Sequence, residues 1–179
     1  MLSHDDAWQV LRSSERLVSA AEIQAVLQRL AGEITVRIAQ RTPLVLTVMG
    51  GAVVFSGQLL PLLAFPLELD YVHVTRYGNA IRGGSLEWKV RPRVAVRDRT
   101  VLVLDDILDE GITLAAIRDG LLAEGAKEVV CAVFADKANG ADKPVVPDFV
   151  GITLPNRYVF GFGMDVRGAW RNLPDIYAL

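Results

Sequence analysis

Val101-Leu-Val-Leu-Asp-Asp-Ile-Leu-Asp-Glu-Gly-Ile-Thr113 places an apolar run, two adjacent acids, a third acid, a glycine and a hydroxyl in one row. The run Val101 to Leu104 is short and rich in branched residues, and it reads as a strand buried on both faces of a parallel sheet. Asp105 and Asp106 stand at its carboxyl end, where open α/β sheets bind their ligands. From Asp109 the chain turns into a helix that starts near Thr113 and carries Leu114, Ile117, Leu121 and Leu122 at helical spacing. Free N–H groups and the positive end of the helix dipole make that start an anion cradle. Acids that accept from vicinal hydroxyls, beside amides that hold a phosphate, point to a sugar phosphate. Gly111 lets the backbone approach closely, and Asp109 is left over for chemistry. The plain alternative is a strand, turn and helix whose acids are solvated. An EF-hand is excluded because Ile107 and Leu108 stand where oxygen ligands are required. No Walker A loop or dinucleotide fingerprint is present.

At these residues the chain resembles the type I phosphoribosyltransferases, in the version found in hypoxanthine-guanine phosphoribosyltransferases. The resemblance covers roughly residues 17 to 179, and a second stretch carries it as well. Tyr158-Val-Phe-Gly-Phe-Gly-Met-Asp165 followed by Arg171-Asn-Leu-Pro174 is similar to the family's C-terminal pattern. It implies that Asp105 and Asp106 bind the ribose hydroxyls of phosphoribosyl pyrophosphate, and that Asp109, Glu110, Gly111, Ile112 and Thr113 form the 5′-phosphate loop. Asp109 would then be the general base or acid at N7 of a purine. By position, Tyr158 would stack on the base, Val159 would meet its edge, Asp165 would hold Mg²⁺ and Arg171 would reach pyrophosphate. Lys137, in Asp136-Lys137, would donate to the 6-oxo group and so discriminate against a 6-amino group.

Outward from the centre, Leu44-Val-Leu-Thr-Val-Met49 reads as a strand ending at Gly50-Gly51, which opens an apolar helix over 52–63. The resemblance makes Met49, Gly50 and Gly51 the pyrophosphate loop, with a cis peptide at Met49–Gly50. The family often has Leu-Lys-Gly there, so only backbone contacts carry over. Ser19-Ala-Ala-Glu22 is a capping box ahead of an amphipathic helix over residues 20 to 40. Leu67 to Tyr77 alternates as a strand, with Leu67, Leu69, Tyr71 and His73 on one face and Val72 and Val74 on the other; His73 reads as a strand residue. Gly78 to Leu86 is a glycine-rich loop leading to a strand at Leu86 to Val90. In the family this region is a flexible flap beginning at Ser-Tyr, matched here by Arg76-Tyr77, and its closure would exclude water. Glu110-Gly111 likewise replaces the usual Thr-Gly. Glu128 to Phe134 and Asp148 to Leu154 read as two more strands, and the polar loop Asn139 to Pro147 as surface.

With 179 residues and 51% hydrophobic composition the chain reads as a single domain, residues 1–179. The fold is α/β: a twisted parallel sheet flanked by helices, with a hood from about 1–20 and 150–179 and a flexible loop at about 76–90. Lys and Arg number 19 against 21 Asp and Glu, so the net charge of -2 offers no general attraction for nucleic acid or an anionic membrane. Small-molecule partners, phosphoribosyl pyrophosphate and a purine, are expected instead, in a homo-oligomer as in relatives. One cysteine, Cys131, in an apolar run fits a reducing cytoplasm, and the acidic N-terminal stretch lacks a signal-peptide pattern. The rival reading is a regulatory protein of this fold that senses phosphoribosyl pyrophosphate and binds nucleic acid, for which Arg91, Arg93, Arg97 and Arg99 would supply a basic face.

Overall fold

The structure is a computed structural model that describes residues 2–76 and 86–179, with the side chains of Arg76 and Leu86 left out. Helix α1 spans His4–Ser13, with Ser3 accepting from the Asp6 amide, and is followed by β1, Glu15–Val18. Helix α2 spans Ala20–Ile38, opened by the Ser19/Glu22 capping box, and buries Ile23, Leu27, Leu30, Ile34 and Ile38. Strand β2, Leu44–Met49, leads into α3, Ala52–Leu59. The α-helix stops short of the residue 63 expected from the sequence and tightens into a 3-10 turn at Leu60–Leu62. Pro61 lacks the N–H that another α-turn would need.

Strands β3, Glu68–Arg76, and β4, Leu86–Val90, precede the central β5, Thr100–Leu108. Helix α4, Ile112–Ala123, and strands β6, Glu128–Ala138, and β7, Phe149–Pro155, follow. These strands form one sheet in the order β4-β3-β2-β5-β6-β7, parallel except for β4. A second, antiparallel sheet joins β1 to β9, Ile176–Ala178, and β9 to β8, Val159–Phe160.

Alternation along β5 places the chain between two apolar layers. Leu102 and Leu104 pack with α2, α3 and the C-terminal Phe162 and Met164, whereas Val101 and Val103 pack with Leu114, Ile117 and Leu121 of α4. A strand so covered has to be apolar on both faces, which is why its sequence does not alternate with polar residues. Val72 and Val74 of β3 join the α4 layer, while Leu69 on the opposite face is 53% exposed. Thr47 and Ser56, both buried, satisfy each other through a hydroxyl hydrogen bond of 2.9 Å that links β2 to α3.

Two strands run further than their apolar residues. β5 continues through Asp105 and Asp106 to Leu108, and β6 through Asp136 and Lys137 to Ala138. The neighbouring backbones keep pairing, Asp105 with Val133 and Leu108 with Asp136, because the ladder uses main-chain groups whatever the side chain. The tail is tied down at several points. Asp175 accepts from the Ala20 amide at 2.6 Å, so it adds a second acceptor at the start of α2. The Trp170 indole donates to the Ala7 carbonyl at 2.8 Å, and its ring meets Trp8 edge-on with 4.9 Å between centroids. No helix among the described residues is long and apolar enough to cross a membrane.

Candidate active site

Asp105 and Asp106 occupy the last turns of β5, at the carboxyl end of the sheet. Asp105 is buried, and its carboxylate accepts the Asp106 amide at 3.0 Å; Asp106 in turn accepts the Ile107 amide at 3.0 Å. Burial, and then the charge of Asp106, push the Asp105 carboxyl well above the ordinary carboxylate range. Burial also raises Asp106, although its hydrogen bonds to Asp105 and Ile107 and the Arg171 guanidinium pull the other way. Hydroxyl groups donated by a ligand would stabilise the charged form of both.

Five residues after Asp106, Gly111 caps α4 at φ 76 with no side-chain acceptor. The first amides of α4 therefore face the loop without partners within their own helix. Glu110 is exposed and Thr113 half-buried, and both border the same cavity as Asp105 and Asp106. That cavity measures about 350 Å³ and is closed on another side by Met49, Gly50 and Gly51. The Met49–Gly50 peptide is cis, as the resemblance implies.

The two glycines differ in a way the sequence does not show. A Cβ on Gly50 would meet nothing within 4 Å, whereas one on Gly51 would lie 1.9 Å from an Asp106 carboxylate oxygen. Gly51 thus makes room for the chain's own acid. Its carbonyl is in turn crowded by Gly163, whose Cβ would fall 2.0 Å away and whose φ of 100 suits only glycine. The C-terminal segment docks on the β2 loop through this contact.

From that segment Asp165 and Arg171 reach the cavity, paired with each other. Asp165 also accepts the Gly168 amide at 2.7 Å, and Arg171 donates to the Gly163 carbonyl at 2.6 Å. A second cavity of about 230 Å³ adjoins the first and shares Asp106, Ile107, Asp109, Asp165 and Arg171 with it. Its other walls are Lys137, Tyr158, Val159 and Met164. Tyr158 is 51% exposed and its hydroxyl donates to the Asp165 carbonyl at 3.2 Å, which leaves a ring face open. Lys137 and Asp109 form an ion pair of 3.0 Å across the ends of β6 and β5.

All of the sequence-selected residues with described side chains border one of these two cavities except Ile112, which is exposed in the first turn of α4. Arg76 ends β3 opposite Leu86, and Tyr77 lies outside the described residues. The expectation of a plain surface loop at Asn139 to Pro147 is wrong in part. Val145 is buried, and the Lys143 side chain is only 13% exposed. Asn139 donates to the Asp109 carbonyl at 2.9 Å and to its carboxylate at 3.3 Å. Adjacency to Lys137 near the end of β6 was the available signal, since residues there sit at the same sheet end. Cys131 is buried mid-strand, and burial pushes its thiol up to about 12, so it is inert packing.

A parallel sheet carrying paired acids at one strand end, followed by a glycine-opened helix, is the frame of a phosphoribosyltransferase. Residues 13–167 match the phosphoribosyl transferase domain family, and the chain belongs to it. Among curated relatives, the hypoxanthine-guanine phosphoribosyltransferase of Bacillus subtilis is 32% identical over 91% of each chain. The bifunctional protein TilS/HprT of Listeria monocytogenes is 35% identical over 89% of this chain, which spans about a quarter (25%) of that protein's length. A solved hypoxanthine-guanine-xanthine phosphoribosyltransferase superposes with a TM-score of 0.84 at 30% identity, covering 92% of this chain and 96% of the other.

Proposed function

We propose that this chain transfers the 5-phosphoribosyl group of phosphoribosyl pyrophosphate to N9 of a 6-oxopurine, hypoxanthine or guanine, and releases pyrophosphate. The observation that carries this reading is the pair of adjoining cavities with a shared wall of Asp106, Asp109, Asp165 and Arg171. One has the acids and the α4 start that suit a phosphorylated sugar; the other has the cation and open ring that suit a purine.

In this reading Asp105 and Asp106 accept the 2′- and 3′-hydroxyls. The loop amides from Asp109 to Thr113, with the Thr113 hydroxyl, hold the 5′-phosphate, helped by the α4 dipole. The Glu110 carboxylate would repel a phosphate, so in this reading it takes no part in holding one. Pyrophosphate rests on the backbone of Met49, Gly50 and Gly51 and meets Arg171. Tyr158 stacks on the base, Val159 meets its edge, and Lys137 donates to O6. Asp109 holds or moves the proton at N7 as charge develops on the ring, which requires the Lys137–Asp109 pair to open and straddle the base. Asp165 offers a hard oxygen donor on the cavity lining, which would suit Mg²⁺ bound through few carboxylates and several waters. Held by Asp165, Mg²⁺ would supply charge neutralisation for the pyrophosphate leaving group.

The regulatory alternative needs a free basic face. Arg91 pairs with Glu124, Arg93 with Asp70 and Arg99 with Glu68, so acids of the chain stand beside three of its four arginines. The test is product formation from phosphoribosyl pyrophosphate and Mg²⁺ with hypoxanthine, guanine, xanthine, adenine or uracil. Turnover with a 6-oxopurine and none with adenine is the expected result. Binding of phosphoribosyl pyrophosphate with no turnover of any base would overturn the reading in favour of a sensor.

A further inference from the structure

Lys143 belongs to no motif and stands on the loop between β6 and β7, yet its ammonium is the most fully coordinated cation near the candidate site. It donates to the Leu108 carbonyl at 2.9 Å, the Lys137 carbonyl at 2.7 Å and the Asp136 carboxylate at 2.5 Å. An ammonium has three hydrogens, and here each has an acceptor. Leu108 immediately precedes Asp109, and Lys137 is the proposed base-recognition residue. The β5–β6 ladder reaches Leu108 opposite Asp136, its last registered pair, so the lysine takes over just where the backbone ladder gives out. The same loop packs against the turn from its far side, since a Cβ on Gly111 would lie 3.3 Å from the Lys143 Cβ and the Pro144 ring. Val145, buried in the α4 layer, anchors the loop.

We infer that Lys143 is a positioning residue that rivets the ends of β5 and β6 and thereby sets the spacing between Asp109 and Lys137. The inference rests on the function proposed above, in which those two groups address N7 and O6 on one edge of the base. Their separation then controls base affinity and proton transfer together, while the sugar-phosphate contacts of Asp105, Asp106 and the α4 amides lie on the other side of the turn.

The test is Lys143→Met, with steady-state kinetics for each substrate, thermal melting, and amide hydrogen exchange of the ligand-free protein. The expected result is a fall of about 10²-fold in kcat/KM for the 6-oxopurine, shared between kcat and KM, with KM for phosphoribosyl pyrophosphate changed less than about twofold. Wild-type constants, or an equal rise in both KM values, would overturn it. If the wild-type protein turns over no base, the proposed function fails, and hydrogen exchange decides the inference separately. Faster exchange at 108–109 and at 137–139 together supports the rivet; unchanged exchange at either segment overturns it. Should Lys143→Met fail to fold, Asp136→Asn keeps the shape and both carbonyl contacts, and the same measurements apply with a smaller shift in the same direction.

Discussion

The larger cavity takes its helix start and all of its acids but Asp165 from one continuous stretch, Asp105 to Thr113, whereas the smaller one is assembled from the ends of β5 and β6 and from the C-terminal segment. The difference in burial follows. Asp105 is 9% exposed within the sheet, while the Asp109 side chain is 51% exposed and held by Lys137 and Asn139. A site written in consecutive residues inherits its geometry from a strand and a helix start. A site gathered from separate segments depends on every contact that holds those segments together.

The sharpest way to break this contrast is at Asp109, one of the residues both cavities share. Asp109→Asn should lower kcat with a 6-oxopurine by about 10²-fold or more while leaving affinity for phosphoribosyl pyrophosphate near wild type, read by steady-state kinetics. Retained turnover would remove Asp109 from the chemistry. Lys137→Ala should act on the smaller cavity alone. Loss of a charged hydrogen bond predicts a rise of about 10- to 10²-fold in KM for the 6-oxopurine and weaker rejection of adenine.

Stability separates the two regions in a different way. Gly51→Ala drives a methyl into Asp106 and should cost about 1–3 kcal/mol in urea unfolding. Gly57→Ala, on the exposed side of α3 with open space around it, should instead gain about 0.5–1 kcal/mol.

The buried Asp105 gives the fold a pH signature. The Asp105 carboxyl is raised in the folded protein, so between about pH 4 and that raised value the folded state holds more protons than the unfolded one. Stability therefore falls as pH rises through the window. Asp105→Asn should remove that cost, raising Tm at pH 7, with the gain vanishing below about pH 4. A Tm lowered equally at both pH values would reject the linkage. The smallest effect belongs far from either cavity. Glu128, bridging Arg37 and Arg41 on the surface, should cost less than about 1 kcal/mol as Glu128→Ala.

Much of the architecture could be read in advance because it depends on local rules. The capping box at Ser19, the double-sided apolar run at Val101 to Leu104 and the turn at Gly111 each obey constraints a few residues long. The limits of β5 and β6 could not be read, since a strand ends where its neighbour's backbone leaves it, and apolarity does not report that. Pro61 should have shortened the expected helix over 52–63, and its missing N–H was in plain view.

By itself the sequence determined the acids at a strand's carboxyl end, the helix start beside them, and the aromatic and basic residues of the tail. Those follow from periodicity, capping and motif. Only the tertiary structure decided that Gly51 serves Asp106, that Gly163 seats the tail on Gly51, and that Lys143 joins Leu108 to Lys137. Each of these is a contact between segments distant in the chain, and its requirement is a distance, which no pattern of neighbouring residues encodes.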